Sequence, residues 1–285
     1  MNNLPLIVDA LDFAAHAHRD QRRKGVDATP YIAHPIALAR ILSVEGGIDD
    51  PVVIAAALLH DTVEDCGVTQ SQLALRFGQE VADVVAEVTD DKSLSKAKRK
   101  ELQIEHAASI SDRAKLVKIA DKIANVRDIG RTPPADWTTE RKHEYANWAK
   151  RVVTALGDVS PRLEVAFDMA WIAVVENRRY CGCMTPPFHY LDFENKVLGL
   201  TSNCGEVELE TCKSCGIHWL RYFYEHEGFT GSGRWYRGIV DDVTLPTLTP
   251  ANCVVHLESL PWYIYGGSYF NSLGQRGAGP IKETL

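Results

Sequence analysis

The segment LLHDTVEDC, residues 58–66, places an imidazole and three carboxylates within six residues, directly behind the apolar run VVIAAALL. These four ionisable groups are His60, Asp61, Glu64 and Asp65. His60 and Glu64 are four residues apart, as are Asp61 and Asp65, so on one continuous helix each pair would share a face. A solvated helix end is the plain alternative, but it does not require adjacent histidine and aspartate. We therefore interpret this segment as part of a cation-binding site.

One segment does not complete the coordination sphere of a metal ion, so donors from elsewhere in the chain are needed. His34, in YIAHP, precedes a proline that suits the first turn of a helix. Asp121, in LVKIADKIANVRD, lies on an otherwise apolar helix, where an isolated carboxylate is costly, and Asn125 lies one turn further along. The alternatives are a capping histidine and a salt bridge from Asp121 to Lys118 or Lys122. Imidazole with carboxylate suits Mn, Fe or Zn better than Mg alone.

A second set of metal ligands is indicated by the cysteines, five of which lie between residues 181 and 215. CKSCG has the spacing of a zinc knuckle, in which two thiolates flank a tight turn. The candidate ligands are Cys181, Cys183, Cys204, Cys212 and Cys215, with His189 or His218 as substitutes for one of them. Buried free thiols and redox chemistry are the alternatives. We predict a structural zinc site that uses four of these ligands.

The overall composition limits the kinds of partner that the chain is expected to bind. Its 285 residues are 45% hydrophobic and 24% charged, as in an ordinary soluble globular protein with one large or two smaller domains. The formal net charge of −7 argues against a broad basic surface for nucleic acid. No apolar run approaches the length of a membrane span, and charge comes too early for a signal peptide. We expect a cytoplasmic protein, in which clustered cysteines favour metal over disulfides.

The composition changes near residue 176, since 16 of the 24 aromatic residues and 13 of the 20 glycines lie in 176–285. Residues 1–175 have the spacing of a string of helices. Within them we predict N-caps at Asp50 and Thr69 and a helix starting at Ser160-Pro161. Two further helices are predicted over 112–129, ended by Gly130, and over 137–156, ended by Gly157. The predicted fold of this part is an all-α bundle.

Residues 176–285 have the composition of a small β-rich, zinc-ribbon-like domain. Short apolar runs such as KVLGL, IHWLRYFY, RWYRGIV and CVVHLESLPWYIYGG are separated by Gly, Pro and Asn. The tail NSLGQRGAGPIKETL is expected to be loosely ordered. The aromatic and Arg residues of FTGSGRWYRGIV either pack into the small core or clamp a nucleobase or a partner. We expect this domain to recognise a protein partner or to stabilise self-association.

HDTVED, with YIAHP upstream and LVKIADKIANVRD downstream, resembles the HD-domain hydrolases of the RelA/SpoT group, in particular the small alarmone hydrolases called metazoan SpoT homologues. The similarity runs from about residue 4 to about residue 172 and includes DFAAHAHRDQRRK, EVTDDKSLSKAKRKELQ and WTTERKHEYANWA. It implies a catalytic Mn²⁺ held by His34, His60, Asp61 and Asp121. It also implies that Glu64 and Asp65 are the catalytic carboxylates.

The same resemblance implies hydrolysis of the 3′-pyrophosphate of guanosine tetra- or pentaphosphate to GDP or GTP and pyrophosphate. The implied substrate-binding residues are Arg23, Lys24, Lys96, Asn125, Trp137, Arg141 and Tyr145. Without the resemblance, the basic residues among them would be ordinary solvated charges and the aromatic ones would belong to the core or rim.

Two other functions stay open for this pocket. Some members of the group are credited with removing the 2′-phosphate of NADPH, which also presents a ribose phosphate beside a purine nucleotide. Others act as antitoxins that reverse alarmone synthetases. A protein that only binds alarmone is a third possibility, but Glu64 and Asp65 beside all four metal positions favour turnover.

Overall fold

The computed structural model describes residues 3–25, 27–176, 181–184, 186–226, 228, 230–270 and 272–282. The chain forms two compact units, Met1–Tyr180 and Cys181–Leu285. The predicted domain boundary at residue 176 lies inside the first of them. Among the described residues, no helix combines the length and the apolar composition needed to cross a bilayer.

Among the described residues of the first unit, the regular elements are all helices, as predicted. Its helices are α1 Leu4–Ala17, α2 Ala33–Arg40, α3 Pro51–Leu59, α4 Thr62–Cys66, α5 Gln70–Phe77, α6 Gln79–Val88, α7 Lys96–Glu105, α8 Asp112–Arg131, α9 Thr139–Leu156 and α10 Pro161–Val175. Every residue of α3 from Val53 to Leu59 is buried, because a helix that is apolar on all sides is stable only inside a core. α8 packs against α2, α3, α6, α9 and α10 and so forms the centre of the bundle.

The helix ends follow the sequence signals at most of the predicted positions. The Asp50 side chain accepts a hydrogen bond from the N–H of Val52 at 2.9 Å. Thr69 forms a capping box with Gln72. Ser160 precedes α10, which starts at Pro161. The side chains of Asp50 and Thr69 satisfy N–H groups that have no partner within the helix, whereas Ser160 makes no side-chain cap hydrogen bond.

Three helix boundaries differ from the predictions. α8 continues through Gly130 to Arg131, because glycine in a packed helix costs only about 1 kcal/mol relative to alanine. α9 begins at Thr139 behind the cap Thr138, so Trp137 precedes this helix instead of starting it. The segment around HDTVED is also not one helix, since α3 ends at Leu59 and α4 begins at Thr62.

The second unit contains one antiparallel sheet with the strand order β1-β2-β3-β4-β5-β6. The strands are β1 Phe193–Leu200, β2 Glu206–Cys212, β3 His218–Tyr224, β4 Arg234–Val240, β5 Tyr263–Gly267 and β6 Ser272–Gly277. A helix, α11 Cys253–Ser259, lies between β4 and β5 in the chain and packs on β3 and β4. The predicted β-rich fold is confirmed.

One face of this sheet carries an apolar core that includes Leu220, Tyr222, Tyr236 and Leu257. α11 approaches β4 closely at Gly238, where a Cβ atom would lie 2.3 Å from a Leu260 methyl group. Any side chain at this position would therefore force the side chains of Leu260 and Leu257 to move.

Three details of the second unit were not predicted correctly. The stretch CVVHLES forms α11 and not a strand, although its apolar composition suits either structure. EVELETC, which alternates charged and apolar residues, forms the unpredicted strand β2. Within the tail, Ser272–Gly277 pairs with β5 as the edge strand β6 and is not loosely ordered.

Candidate active site

Three side chains from different helices meet at the centre of the first unit. His34 lies on α2, His60 directly follows α3, and Asp121 lies midway along α8. One ligand atom of each lies within 4.8 Å of the other two. The Nε2 atom of His34 is 3.2 Å from Oδ1 of Asp121. Because α2, α3 and α8 all pack on one another, the bundle itself determines this convergence.

Asp61 lies in the two-residue segment between α3 and α4 and also contacts this group. Its Oδ2 atom lies 2.9 Å from Nε2 of His60 and 4.0 Å from Nε2 of His34. The hydroxyl of Tyr31 donates a hydrogen bond of 2.6 Å to the same oxygen. Asp61 therefore contacts both histidines from the short segment between α3 and α4, where His60 and Asp61 keep right-handed helical backbone angles.

The protonation pattern of the histidines suits metal ligation. Nδ1 of His60 lies 2.9 Å from the carbonyl oxygen of Ala57, so it carries a proton, and Nε2 is the ring atom that faces the carboxylates. Nε2 of His34 faces the same carboxylates, while its buried Nδ1 has no hydrogen-bond partner in the described structure. Two imidazoles and two carboxylates form a donor set that fits Mn, Fe or Zn.

The electrostatics of the group favour bound cations. Burial lowers the pKa of His60, but the charges of Asp61 and Asp121 outweigh this effect and raise it to about 9. Burial opposes ionisation of both aspartates, but Lys122 and the histidines hold the pKa of Asp121 well below its usual value, and His60 lowers that of Asp61. Both carboxylates are therefore ionised at neutral pH. A divalent ion would compete with protons for the histidine and carboxylate donors.

Asp121 makes the salt bridge considered as its plain alternative and still faces the histidines. Nζ of Lys122 lies 2.8 Å from Oδ2, whereas His34 and the amide of Asn125 contact Oδ1 at 3.2 and 2.6 Å. The two oxygens of one carboxylate therefore serve different partners. A salt bridge at this position does not compete with a ligand role.

Glu64 and Asp65 lie on α4, one turn beyond the break. Glu64 accepts a hydrogen bond of 3.2 Å from the backbone N–H of Asp90, and its other oxygen is 3.5 Å from the guanidinium of Arg99. Burial, followed by the charges of nearby aspartates including Asp61, raises the pKa of Glu64. Asp65 forms an ion pair with Lys92. Both carboxylates line the cavity that opens above the histidines.

Two adjoining cavities extend from this site. The inner one, of about 260 Å³, is lined by all four metal-donor candidates. The outer one, of about 560 Å³, lies towards Trp137 and the segment before α2. The residues that line both are Arg23, Tyr31, Glu64, Asp65, Lys96, Arg99, Asn125 and Tyr145. Because they share so much of their walls, the two cavities form one cleft with a deep and a shallow part.

Most of the predicted substrate residues lie on this cleft. Arg23, Lys96, Asn125 and Tyr145 line both parts, and Lys24 and Trp137 line the outer part. The guanidinium of Arg23 contacts the side chains of Asn125 at 2.9 Å and Asp128 at 2.6 Å. Their common position suits a ligand that carries both phosphate and an aromatic base.

Arg141 differs from the other predicted residues. It is not part of the lining of either cavity, and its guanidinium lies 5.5 Å from the ring centre of Trp137 and 3.0 Å from Glu144. In this structure Arg141 therefore supports the wall formed by Trp137 instead of facing the cleft.

Several cations of the deep part were not predicted from the sequence. They are Arg99, Lys100, Lys118 and Lys122. Lys100 lies over the rings of Trp148 and Tyr145, at 4.4 and 5.2 Å from their centres. The run KAKRKE resembles a solvated charged face, and only the packing of α7 on α9 turns part of it inwards. The positions of Lys118 and Lys122 on either side of Asp121 are the sequence feature from which part of this cationic lining could have been predicted.

The second unit gathers four of the five candidate cysteines. Cys181, Cys183, Cys212 and Cys215 all have sulfur atoms within 4.8 Å of one another. The Sγ atoms are 3.6 Å apart for Cys181 and Cys212, and 3.5 Å apart for Cys183 and Cys215.

Cys204 and the two alternative histidines lie outside this cysteine cluster. Cys204 is exposed and occupies a left-handed backbone position with φ 60° in the turn between β1 and β2. Nδ1 of His218 is 2.9 Å from the hydroxyl of Thr211. His189 is not part of the cluster either. The C-x-C pair, and not Cys204, therefore completes a cluster of four sulfur atoms with the CKSCG segment.

Comparisons with known proteins agree with this geometry. The HD-domain family matches residues 10–154. The chain is similar to guanosine-3′,5′-bis(diphosphate) 3′-pyrophosphohydrolase MESH1 of Xenopus tropicalis, with 53% identity over 163 residues that cover 57% of this chain and 91% of the relative. For the human protein of the same name, identity is 52% over 160 residues, which cover 56% and 89%.

A solved structure is also similar to the chain, namely that of a metazoan SpoT orthologue that hydrolyses ppGpp. Its TM-score is 0.57 at 48% sequence identity, and the similar region covers 58% of this chain and 93% of that one. The similarity thus extends over nearly the whole length of the compared protein.

Proposed function

This chain belongs to the HD-domain family, and we propose on that basis that it is a guanosine-3′,5′-bis(diphosphate) 3′-pyrophosphohydrolase. It would convert guanosine tetra- and pentaphosphate to GDP and GTP with release of pyrophosphate. The observation that carries the proposal is the convergence of His34, His60, Asp61 and Asp121 at the floor of a cleft lined by cations. Relatives of this name that are about half identical in sequence support the same reaction.

We assign the catalytic metal ion as Mn²⁺, held by those four side chains. When bound, such an ion offsets the charge of the phosphate and lowers the pKa of a coordinated water from ~15.7 towards ~7. The protein has to hold the donors in place, and Tyr31 and Asn125 do so by hydrogen bonds to the two aspartates. Outer hydrogen bonds of this kind orient the ligands of a metal.

Glu64 and Asp65 would orient the attacking water and accept its proton. Burial raises the pKa of Glu64, which makes its carboxylate a stronger base. General base catalysis typically contributes ~10²–10⁴-fold to the rate. The second carboxylate, that of Asp65, forms an ion pair with Lys92.

The cations of the cleft would bind the phosphate groups. Arg23, Lys24 and Lys96 lie where the shallow part meets the deep part and suit the phosphates that stay with the nucleoside. Arg99, Lys118 and Lys122 surround the deep part and suit the pyrophosphate that leaves. Trp137 and Tyr145 would pack against the nucleoside. Arg141 would act through Trp137, which it contacts.

The test is to incubate the whole chain with Mn²⁺ and either guanosine tetraphosphate or NADPH, and to measure pyrophosphate and phosphate separately. Pyrophosphate from the tetraphosphate supports the proposed reaction. Phosphate released from NADPH, without pyrophosphate from the alarmone, would replace it by the 2′-phosphatase reaction. Binding of either nucleotide without any product would indicate a signalling protein and reject hydrolysis.

For the second unit we propose a structural zinc ion bound by Cys181, Cys183, Cys212 and Cys215. Tetrahedral thiolate sites with Zn–S bonds of ~2.3 Å need sulfur atoms roughly 3.8 Å apart, and the two closest pairs are 3.5 and 3.6 Å apart. Elemental analysis of the purified chain should find one zinc ion in addition to manganese. A role of this unit in binding an alarmone synthetase or a second copy of the chain stays a prediction.

A further inference from the structure

A third aromatic side chain continues the wall of the cleft beyond Trp137 and Tyr145. The ring centre of Trp148 lies 5.2 Å from that of Tyr145, which in turn lies 5.7 Å from that of Trp137. Trp137 lines the shallow part of the cleft, Tyr145 lines both parts, and Trp148 lines the deep part. The three rings therefore form a row that leads from the shallow part into the deep part.

Trp148 gathers the ammonium groups of two lysines from two other helices. Nζ of Lys100, on α7, lies 4.4 Å from its ring centre, and Nζ of Lys122, on α8, lies 4.8 Å from it. Both distances are in the range of a cation–π interaction, which is stronger where water is excluded. The indole N–H also donates a hydrogen bond of 3.0 Å to the backbone carbonyl oxygen of Lys100. Since α7 has no buried residues, this bond helps to fix the helix at the cleft.

The two lysines differ in their other partners. Nζ of Lys122 lies 2.8 Å from Oδ2 of Asp121, one of the proposed metal ligands. Among the described residues, the recorded contacts of the Lys100 ammonium are the rings of Trp148 and Tyr145 and include no carboxylate. An aromatic face attracts a cation but does not cancel its charge. The ammonium group of Lys100 is therefore available to an anion in the deep part.

The platform formed by Trp148, Lys100 and Lys122 begins at the metal donors and leads away from them. Lys122 contacts both Asp121 and the indole, and Lys100 lies on the same indole. A single phosphate on a ribose would be served by the metal and its nearest cations. A pyrophosphate has a second phosphate group, which lies farther from the ribose and adds negative charge. Lys100 is the cation of the platform that suits this second group.

We infer that Trp148 is a positioning residue that holds Lys100 as a binding group for the distal phosphate of the leaving pyrophosphate. The platform would thereby favour a ribose pyrophosphate over a ribose monophosphate. This inference rests on the proposed pyrophosphohydrolase function, in which neither Lys100 nor Trp148 has a role so far. Because the metal, Glu64 and Asp65 would act on either kind of phosphate, the platform affects the choice of substrate more than the hydrolytic step.

The test compares Trp148→Leu with the matched control Trp171→Leu in the full chain. Trp171, on α10, is also half-buried, and it lines neither part of the cleft. Its indole N–H donates a hydrogen bond of 3.0 Å to Asn147, and Nζ of Lys150 lies 5.6 Å from its ring centre. The two tryptophans thus make the same kinds of contact, one inside the cleft and one outside it.

Two nucleotides that differ only in the distal phosphate serve as probes, with Mn²⁺ in excess. Guanosine tetraphosphate is the substrate, for which kcat/KM is measured by pyrophosphate release. Guanosine 5′-diphosphate 3′-monophosphate competes with it, and its binding is measured as an inhibition constant. Trp148→Leu should lower kcat/KM for the tetraphosphate ~10-fold, or ~1.4 kcal/mol, as expected for the loss of one water-excluded cation–π interaction. The inhibition constant of the monophosphate should stay unchanged, and Trp171→Leu should change neither quantity.

An unchanged kcat/KM in Trp148→Leu, an equal loss for both nucleotides, or the same effect in Trp171→Leu would overturn the inference. If Trp148→Leu does not fold, Lys100→Met takes its place, because it keeps an aliphatic stem on the ring and removes only the charge. It should produce the same selective loss. Absence of pyrophosphate release by the unaltered chain would reject the proposed reaction itself, which is a different result from a loss of selectivity.

Discussion

The two units bury ionisable groups in different surroundings. In the first, charged groups are buried both at the wall of the cleft, as is Lys122, and away from it, as is the ion pair of Glu45 with Arg127. In the second, one face of the sheet packs Leu and Tyr side chains under α11, the ion pair of Arg237 with Glu210 is buried, and two of the four clustered cysteines are buried.

The two candidate metal sites also differ in their donor atoms. Imidazole and carboxylate at the cleft suit Mn, whereas thiolates suit Zn. Our proposals therefore assign a reactive metal to the first unit and a different, structural metal to the second. Variants that change one site at a time test whether the two metal sites are independent of each other.

The largest effect is expected for Asp121→Ala, which removes a donor that is buried with both histidines. Because the metal supplies several kcal/mol of transition-state stabilisation, its loss should reduce hydrolysis roughly 10³-fold or more. Elemental analysis should show loss of manganese and retention of zinc. Unchanged manganese would contradict the assignment of Asp121, and loss of both metals would contradict the separation of the units.

The paired change Glu64→Gln with Asp65→Asn should have the next largest effect. Both carboxylates lie beside the metal donors, so manganese should be retained while hydrolysis falls ~10²–10⁴-fold. Elemental analysis and pyrophosphate release measure the two quantities. Glu101→Gln, on the exposed face of α7, serves as the control and should change neither of them. Full activity of the paired variant would reject the catalytic roles.

Cys212→Ser tests the proposed zinc site of the second unit. It should abolish zinc binding and lower the melting temperature of the second unit, because the free energy of metal binding contributes to folding. Pyrophosphate release by the first unit should stay within about threefold of the unaltered chain, since its cleft is complete without the second unit's residues. Cys204→Ser, an exposed cysteine outside the cluster, should change neither property.

The smallest effect concerns the helix that carries Asp121. The Ser111 side chain accepts a hydrogen bond from the N–H of Ala114 at 3.2 Å, so Ser111→Ala should lower the free energy of unfolding by ~1 kcal/mol. Urea denaturation measures this loss, and manganese content should not change. Ser95→Ala removes the equivalent cap of α7, a helix without buried residues, and should cost less. Equal losses of unfolding free energy in the two variants would contradict the expectation that a cap matters more on a buried helix.

Local signals predicted most of the helical half. Asp50, Thr69 and Ser160 mark helix starts because capping involves only residues a few positions apart. The β half was harder, since strand formation depends on partners that are distant in sequence. For this reason CVVHLES was not recognised as a helix, and β6 was taken for a loose tail.

The sequence by itself determined the chemical types at both sites: histidines and carboxylates in one unit and cysteines in the other. Only the tertiary structure decided which members meet. It placed Asp61 beside His60, brought Lys100 and Lys118 to the cleft, and left Cys204 outside the cluster. The reason is physical, because spacing sets direction within one element, whereas distances between elements depend on how their buried faces pack.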